Sequence, residues 1–141
     1  MTIREKIVVI DFGSQLTKLI ARRIRESGVY SEILSLPELS KLKNFNSIKG
    51  IILSGGPSTV TKKFFPTIPN KIFQKNVPIL GICYGLQLIV KKMGGKVVLS
   101  KKNREFGRTF IVKKKESVLT KNFFKKNKSE VWMSHQDAVL K

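Results

Sequence analysis

"VPILGICYGLQLIVKKMGG", residues 77–95, decides the fold. The apolar run from Val77 to Ile82 has the length of a buried strand. The pattern from Gly85 to Met93 is helical, and Gly94-Gly95 stops it. At the joint stands Gly81-Ile82-Cys83-Tyr84-Gly85, a G-x-C-x-G turn with a strand before it and a helix after it. That is the form of a nucleophile elbow, in which a sharp turn holds a nucleophile above the sheet edge. Backbone segments crowd such a turn, so residues 81 and 85 must be small. Cys83 is the only cysteine of the chain. A lone cysteine is commonly just a small buried hydrophobe. Here the strand–turn–helix context favours a nucleophile, because the helix N-terminus stabilises a thiolate through its dipole and its free N–H groups. In that geometry the Tyr84 N–H points toward an oxyanion on a substrate bonded to Cys83. A second donor must come from a neighbouring loop, and Gly55-Gly56 is the obvious source.

The same alternation extends outward. "KIVVIDFGS" (6–14) is an apolar strand running into a turn, and Leu16, Leu19, Ile20 and Ile24 follow at helical spacing, with Ser14 placed to cap and Gly28 to stop that helix. "YSEILSL" (30–36) is a second strand, and "PELSKLKNF" (37–45) a short helix with Pro37 near its first turn. "GIILSGGPST" (50–59) is a third strand ending in a glycine pair, and "PNKIFQKN" (69–76) a short helix before the strand that leads to Cys83. Strand alternating with helix four times implies a doubly wound α/β fold, a mostly parallel sheet with helices on both faces. After Gly95 the pattern changes. "KVVLS", "EFGRTFIVKK" and "EVWMSH" predict strands in an antiparallel extension from about residue 95. No internal repeat or linker divides the chain, so residues 1–141 are expected to form one domain.

Composition bounds the function. The 141 residues suffice for a real core. No apolar run approaches the roughly 18 residues of a membrane span, the N-terminus lacks the pattern of a secretory signal, and one cysteine builds neither a disulfide nor a thiolate metal site. The cytoplasm is therefore the expected compartment. The 28 Lys+Arg against 9 Asp+Glu give a net charge of +19, which favours anionic partners and keeps a non-catalytic nucleic-acid-binding module as a rival reading. Against that rival, basic residues number 9, 7 and 12 in residues 1–50, 51–100 and 101–141, so they are spread along the chain, and no aromatic-interleaved RNA-reading signature occurs. A Lys-rich surface from biased composition accounts for the charge.

In an open parallel sheet, ligands gather at the carboxyl ends of the strands, where "IDFGS", "LSGGPS" and "GICYG" all end. Together "GICYGLQLI" (81–89), "IILSGGPST" (51–59) and "VIDFGSQLTKLIARRIRESGVY" (9–30) resemble the class I glutamine amidotransferases, of flavodoxin-like architecture. "REFGRTFI" (104–111) and "VWMSHQD" (131–137) resemble the amidotransferase domains of GMP synthases. These segments also discriminate against the glutaminase components of anthranilate synthase and carbamoyl-phosphate synthase.

The resemblance implies hydrolysis of glutamine to glutamate and ammonia through a Cys83 thioester. The ammonia is passed to a synthetase domain that adenylates XMP with ATP and Mg²⁺ and yields GMP. It implies the backbone of Gly56 and Tyr84 as the oxyanion site, and Gln87, Ser134 and His135 as glutamine-binding residues. The amidotransferase part needs no cofactor and no metal, and a homodimer is expected through a C-terminal region absent here. Two positions depart from the family: residue 136 is Gln where glycine is usual, and residue 16 is Leu where tyrosine is frequent.

The proton donor for departing ammonia is not evident. His135 is the only histidine, but the family's catalytic His and Glu belong to a later G-x-Q-F-H-P-E-type segment that nothing in residues 1–141 matches. Asp11 and Asp137 are the acids near strand ends, and Asp11 reads as a turn-forming residue. Met1 and an intact first strand suggest a genuine N-terminus and a C-terminal truncation, with little activity expected of residues 1–141 by themselves.

Overall fold

A computed structural model of the chain describes residues 4–99, 105–124, 126–135 and 137–140. The chain forms two compact units, Met1–Val98 with Val139–Lys141, and Leu99–Ala138.

The first unit is built on four parallel strands, β1 (Lys6–Ile10), β2 (Ser31–Leu34), β3 (Ile48–Leu53) and β4 (Ile79–Gly81), in the order β2-β1-β3-β4. Helices α1 (Thr17–Glu26) and α2 (Leu36–Lys41) and a 3-10 turn at Asn70–Ile72 make the crossovers, and α3 (Tyr84–Lys92) follows β4. The chain reverses its direction of travel across the sheet between β1 and β3, so the crevice at a switch point opens above their carboxyl ends.

Strand alternation assigns the two faces. Val8 and Ile10 of β1 join Ile51 and Leu53 of β3, Leu39 of α2 and Tyr84 and Leu88 of α3 in one buried cluster. Val9 points the other way and is also fully buried. Helix α1 packs on β1 and β2 and contributes nothing to the first cluster, so it covers the Val9 face. The cover thins toward the sheet edge: Val9 pairs with Ile52 and Ile52 with Leu80, and Leu80 is 38% exposed. Among the described residues β4 has a strand neighbour on one side only.

The inward face of α1 keeps only half of the stripe its apolar periodicity predicts. Thr17 and Ala21 are its buried residues, Ile20 and Ile24 are half-buried beside them, and Leu16 and Leu19 are exposed. Hydrogen bonds turn the helix this way. Thr17 Oγ1 donates to Asp11 Oδ1 at 2.9 Å, and Ser31 Oγ donates to the Ala21 carbonyl at 2.8 Å. Ser14 still serves the helix start, accepting from the Leu16 N–H on Oγ and from the Thr17 N–H on its carbonyl, although the helix begins three residues later. Gly28, at φ +80°, ends it as expected. Helix α2 is fixed by Glu38, whose carboxylate accepts from both the N–H and the hydroxyl of Ser35. Those bonds hold the Glu38 carboxyl below its usual range.

Strands β5 (Val97–Leu99) and β8 (Asp137–Val139) carry the chain out of the first unit and back into it. The second unit is an antiparallel ribbon of β6 (Glu105–Val112) and β7 (Lys128–His135), in register from Phe106 opposite Ser134 to Val112 opposite Lys128. It is the antiparallel extension expected after residue 95.

Candidate functional site

Three loops leave the carboxyl ends of β1, β3 and β4, and one buried residue ties them together through its side chain and its backbone. Ser54, fully buried after β3, accepts the Phe12 N–H on Oγ at 3.2 Å and donates from Oγ to the Gly55 carbonyl at 2.9 Å. Its own carbonyl accepts the Gly85 N–H at 3.1 Å, and its N–H donates to the Ile10 carbonyl at 3.1 Å. Sequence reasoning passed over Ser54. The one available signal was a small polar residue between an apolar strand and a glycine pair.

Cys83 stands at the top of β4 as the N-cap of α3, with φ 49° and ψ −110°. A non-glycine residue with positive φ is strained. The turn is held against that strain by packing. A Cβ added to Gly81 would lie 2.5 Å from the Leu86 amide nitrogen, and one added to Gly85 would collide with the Leu53 carbonyl. The smallness predicted at 81 and 85 thus has a specific cause: the first turn of α3 is pressed onto the strands β3 and β4. The turn presents the thiol, exposed, at the N-terminus of α3.

Around Cys83 the fold gathers some of the expected residues. The Tyr84 N–H, the first of α3, has no acceptor among the described residues, and the Cys83 carbonyl accepts the Gln87 N–H at 3.1 Å. Gln87, in the first turn of α3, is 9% exposed. The glycine pair adjoins the thiol through Gly55, where an added Cβ would stand 3.6 Å from Cys83 Cβ. Gly56 is pressed against Phe12 instead: an added Cβ would collide with the Phe12 carbonyl and lie 3.0 Å from Phe12 Cβ. The reason for glycine at 56 is therefore the β1 loop.

The Tyr84 side chain turns inward. Its ring lies 5.1 Å from that of Phe12, its hydroxyl donates to the Pro66 carbonyl, and burial pushes its phenol up to about 12. Asp11 forms the turn it was assigned, with Oδ1 accepting from the Gly13 N–H and the Thr17 hydroxyl.

Ser134 and His135 lie in β7 of the second unit. Ser134 is exposed. The side chain of His135 and the whole of Gln136 lie outside the described residues. Asp137 begins β8. Among the described residues no three His, Cys, Asp or Glu side chains cluster to hold a metal ion, and no helix is long and apolar enough to cross a membrane.

Residues 8–141 match the family model described as "Glutamine amidotransferase class-I", and the chain belongs to that family. It is 50% identical over 139 residues to the glutamine-hydrolyzing GMP synthase of Petrotoga mobilis. It is 46% identical over 138 residues to that of Zymomonas mobilis. Each alignment covers 97% of this chain and 26% of the relative, so the chain spans about a quarter of the length of these relatives. Among solved structures it is similar to a candidate GMP synthase component from Thermoplasma acidophilum, with 31% identity and a TM-score of 0.75 over 97% of this chain and 67% of that one.

Proposed function

We propose that this chain is the glutamine-hydrolysing part of a GMP synthase. The carrying observation is the conformation of Cys83, a strained, exposed thiol between two glycines that leave no room for a Cβ. In this reading the Cys83 thiolate attacks the side-chain carbonyl carbon of glutamine. The oxyanion that forms is met by the Tyr84 N–H and by the backbone at Gly56, with the adjoining Gly55 shaping the wall. The C–N bond then breaks, nitrogen leaves as ammonia with a proton from a general acid, and a γ-glutamyl thioester remains on Cys83. Water hydrolyses the thioester to glutamate and returns the thiol. Gln87, one turn along α3 from Cys83, is the contact to the polar end of the substrate in this reading, and Ser134 and His135 are the further glutamine-binding residues.

His135 is not assigned as the general acid. The His–Glu pair of the family, the synthetase domain with its ATP and Mg²⁺, and any homodimer contact are assigned to residues outside 1–141. The cytoplasm is the compartment in keeping with this role. The GMP synthase relatives favour this synthase over other glutamine-dependent enzymes.

The test is Cys83→Ala in a full-length protein carrying these residues. Glutamine-dependent GMP formation is expected to vanish while formation from free ammonia persists, because the cysteine serves only ammonia release. Glutamine-dependent synthesis near the wild-type rate overturns the assignment.

A further inference from the structure

The opposite end of the sheet carries an unassigned concavity. Arg4 precedes β1 and Tyr30 precedes β2, so both lie at the amino ends of parallel strands. That is about 16 Å from the Cys83 end, at roughly 3.3 Å per residue over the five residues of β1. With Arg25, Gly28 and Val29 they line a cavity of about 260 Å³, room for roughly eight waters. Both guanidinium groups are held in place. Arg4 lies over the Tyr30 ring at 4.4 Å from its centroid, and Arg25 Nη1 reaches the Ser31 carbonyl at 3.5 Å.

No carboxylate lines the cavity, and the nearby acids are engaged elsewhere. Glu5 pairs with Lys49, Glu32 with Lys6, and Glu26 with Arg22 and Arg23. Two fixed guanidinium groups facing one concavity repel each other, and a planar fork of donors matches an oxyanion. The Gly28 N–H is already used by the Arg25 carbonyl, so recognition rests on the two side chains.

We propose that Arg4 and Arg25 form a binding site for a phosphate group, either inorganic phosphate or the phosphate monoester of a small molecule. Arg4 occupies one face of Tyr30, so an attached base gains no stacking partner on that face, and the phosphate carries the recognition.

The probe is arginine modification by phenylglyoxal on the full-length protein, mapped residue by residue, with and without inorganic phosphate at constant ionic strength. At phosphate about ten times Kd, mass action leaves roughly one site in ten free, so modification of Arg4 and Arg25 is expected to slow roughly tenfold. Arg22 and Arg23, on the same helix and paired with Glu26, are expected to react unchanged. Arg4→Ala is expected to abolish the protection of Arg25. Arg4→Lys, which keeps the charge but not the fork, serves if the alanine variant folds poorly. A nucleoside 5′-monophosphate and its parent nucleoside distinguish the sources. Protection by the monophosphate at lower concentration than inorganic phosphate identifies an ester ligand, and protection by the nucleoside alone overturns the proposal. Equal protection from chloride, equal protection of Arg22 and Arg23, or no protection also overturns it.

Discussion

Gly85→Ala tests whether the elbow owes its geometry to the contact between α3 and β3. Gly85 is the second residue of α3, and an added Cβ would collide with the Leu53 carbonyl oxygen and stand 2.6 Å from Leu53 Cβ. Ordinary carbon contacts begin near 3.5 Å, so the surfaces must part by about 1 Å. Leu53 cannot give way easily, because β3 is paired with β1 on one side and β4 on the other. The first turn of α3 moves instead, stretching the bond from the Gly85 N–H to the Ser54 carbonyl and carrying Cys83 with it. Overpacking of this kind costs about 1–3 kcal/mol of stability. A misplacement of about 1 Å at a reacting group costs roughly 100-fold in rate. The assay compares glutamine- and ammonia-dependent GMP formation by the full-length protein. Glutamine-dependent turnover is expected to fall roughly 100-fold, with ammonia-dependent synthesis retained. Gly94→Ala is the control: it lies beyond the far end of α3 at φ +85° with nothing within 4 Å, so it brings backbone strain but no displacement of Cys83. A folded Gly85→Ala protein with normal glutamine turnover refutes the reasoning.

Gly56→Val drives a side chain into the Phe12 carbonyl and displaces the proposed oxyanion backbone. Glutamine turnover is expected to drop about 100- to 1,000-fold, and normal hydrolysis by a folded variant reduces this loop to a turn. Tyr84→Phe removes the bond to Pro66 and is expected to cost about 1 kcal/mol, measured by denaturant titration. The Tyr84 phenol is raised from 10.0 to about 12 by burial, so the folded state holds its proton longer than the unfolded state does. The corresponding stability is present below pH 10.0 and lost as pH rises toward 12; Tyr84→Phe abolishes that part of the decline. Residues 1–141 by themselves are expected to release no ammonia from glutamine, since loss of a general acid–base costs about 100- to 10,000-fold. Turnover that disappears in both Cys83→Ala and His135→Ala makes His135 the missing group and sinks that expectation.

The order of strands and helices and the elbow around Cys83 were legible in the sequence because local rules set them. Apolar runs of strand length, helical periodicity, and Gly81 and Gly85 flanking the cysteine each act within a few residues. The turn role of Asp11 was legible for the same reason, as its bonds reach only Gly13 and Thr17. Other features depended on partners distant in the chain. Helix α1 buries Thr17 and Ala21, with Ile20 and Ile24 half-buried and Leu16 and Leu19 exposed, because the Ser31 hydroxyl of the neighbouring strand bonds to the Ala21 carbonyl, and no periodicity encodes that contact. Glycine at 56 answers to Phe12, and glycine at 85 to Leu53. Ser54 joins the three loops only once β1, β3 and β4 lie side by side. The pairing of Arg4 with Arg25 likewise exists only because β1 and β2 run parallel. The sequence by itself determined which elements form and at which turn the lone thiol stands. The tertiary structure decided what Gly56, Gly85 and Ser54 are for, because those roles are contacts between segments dozens of residues apart, fixed only when the strands lie side by side.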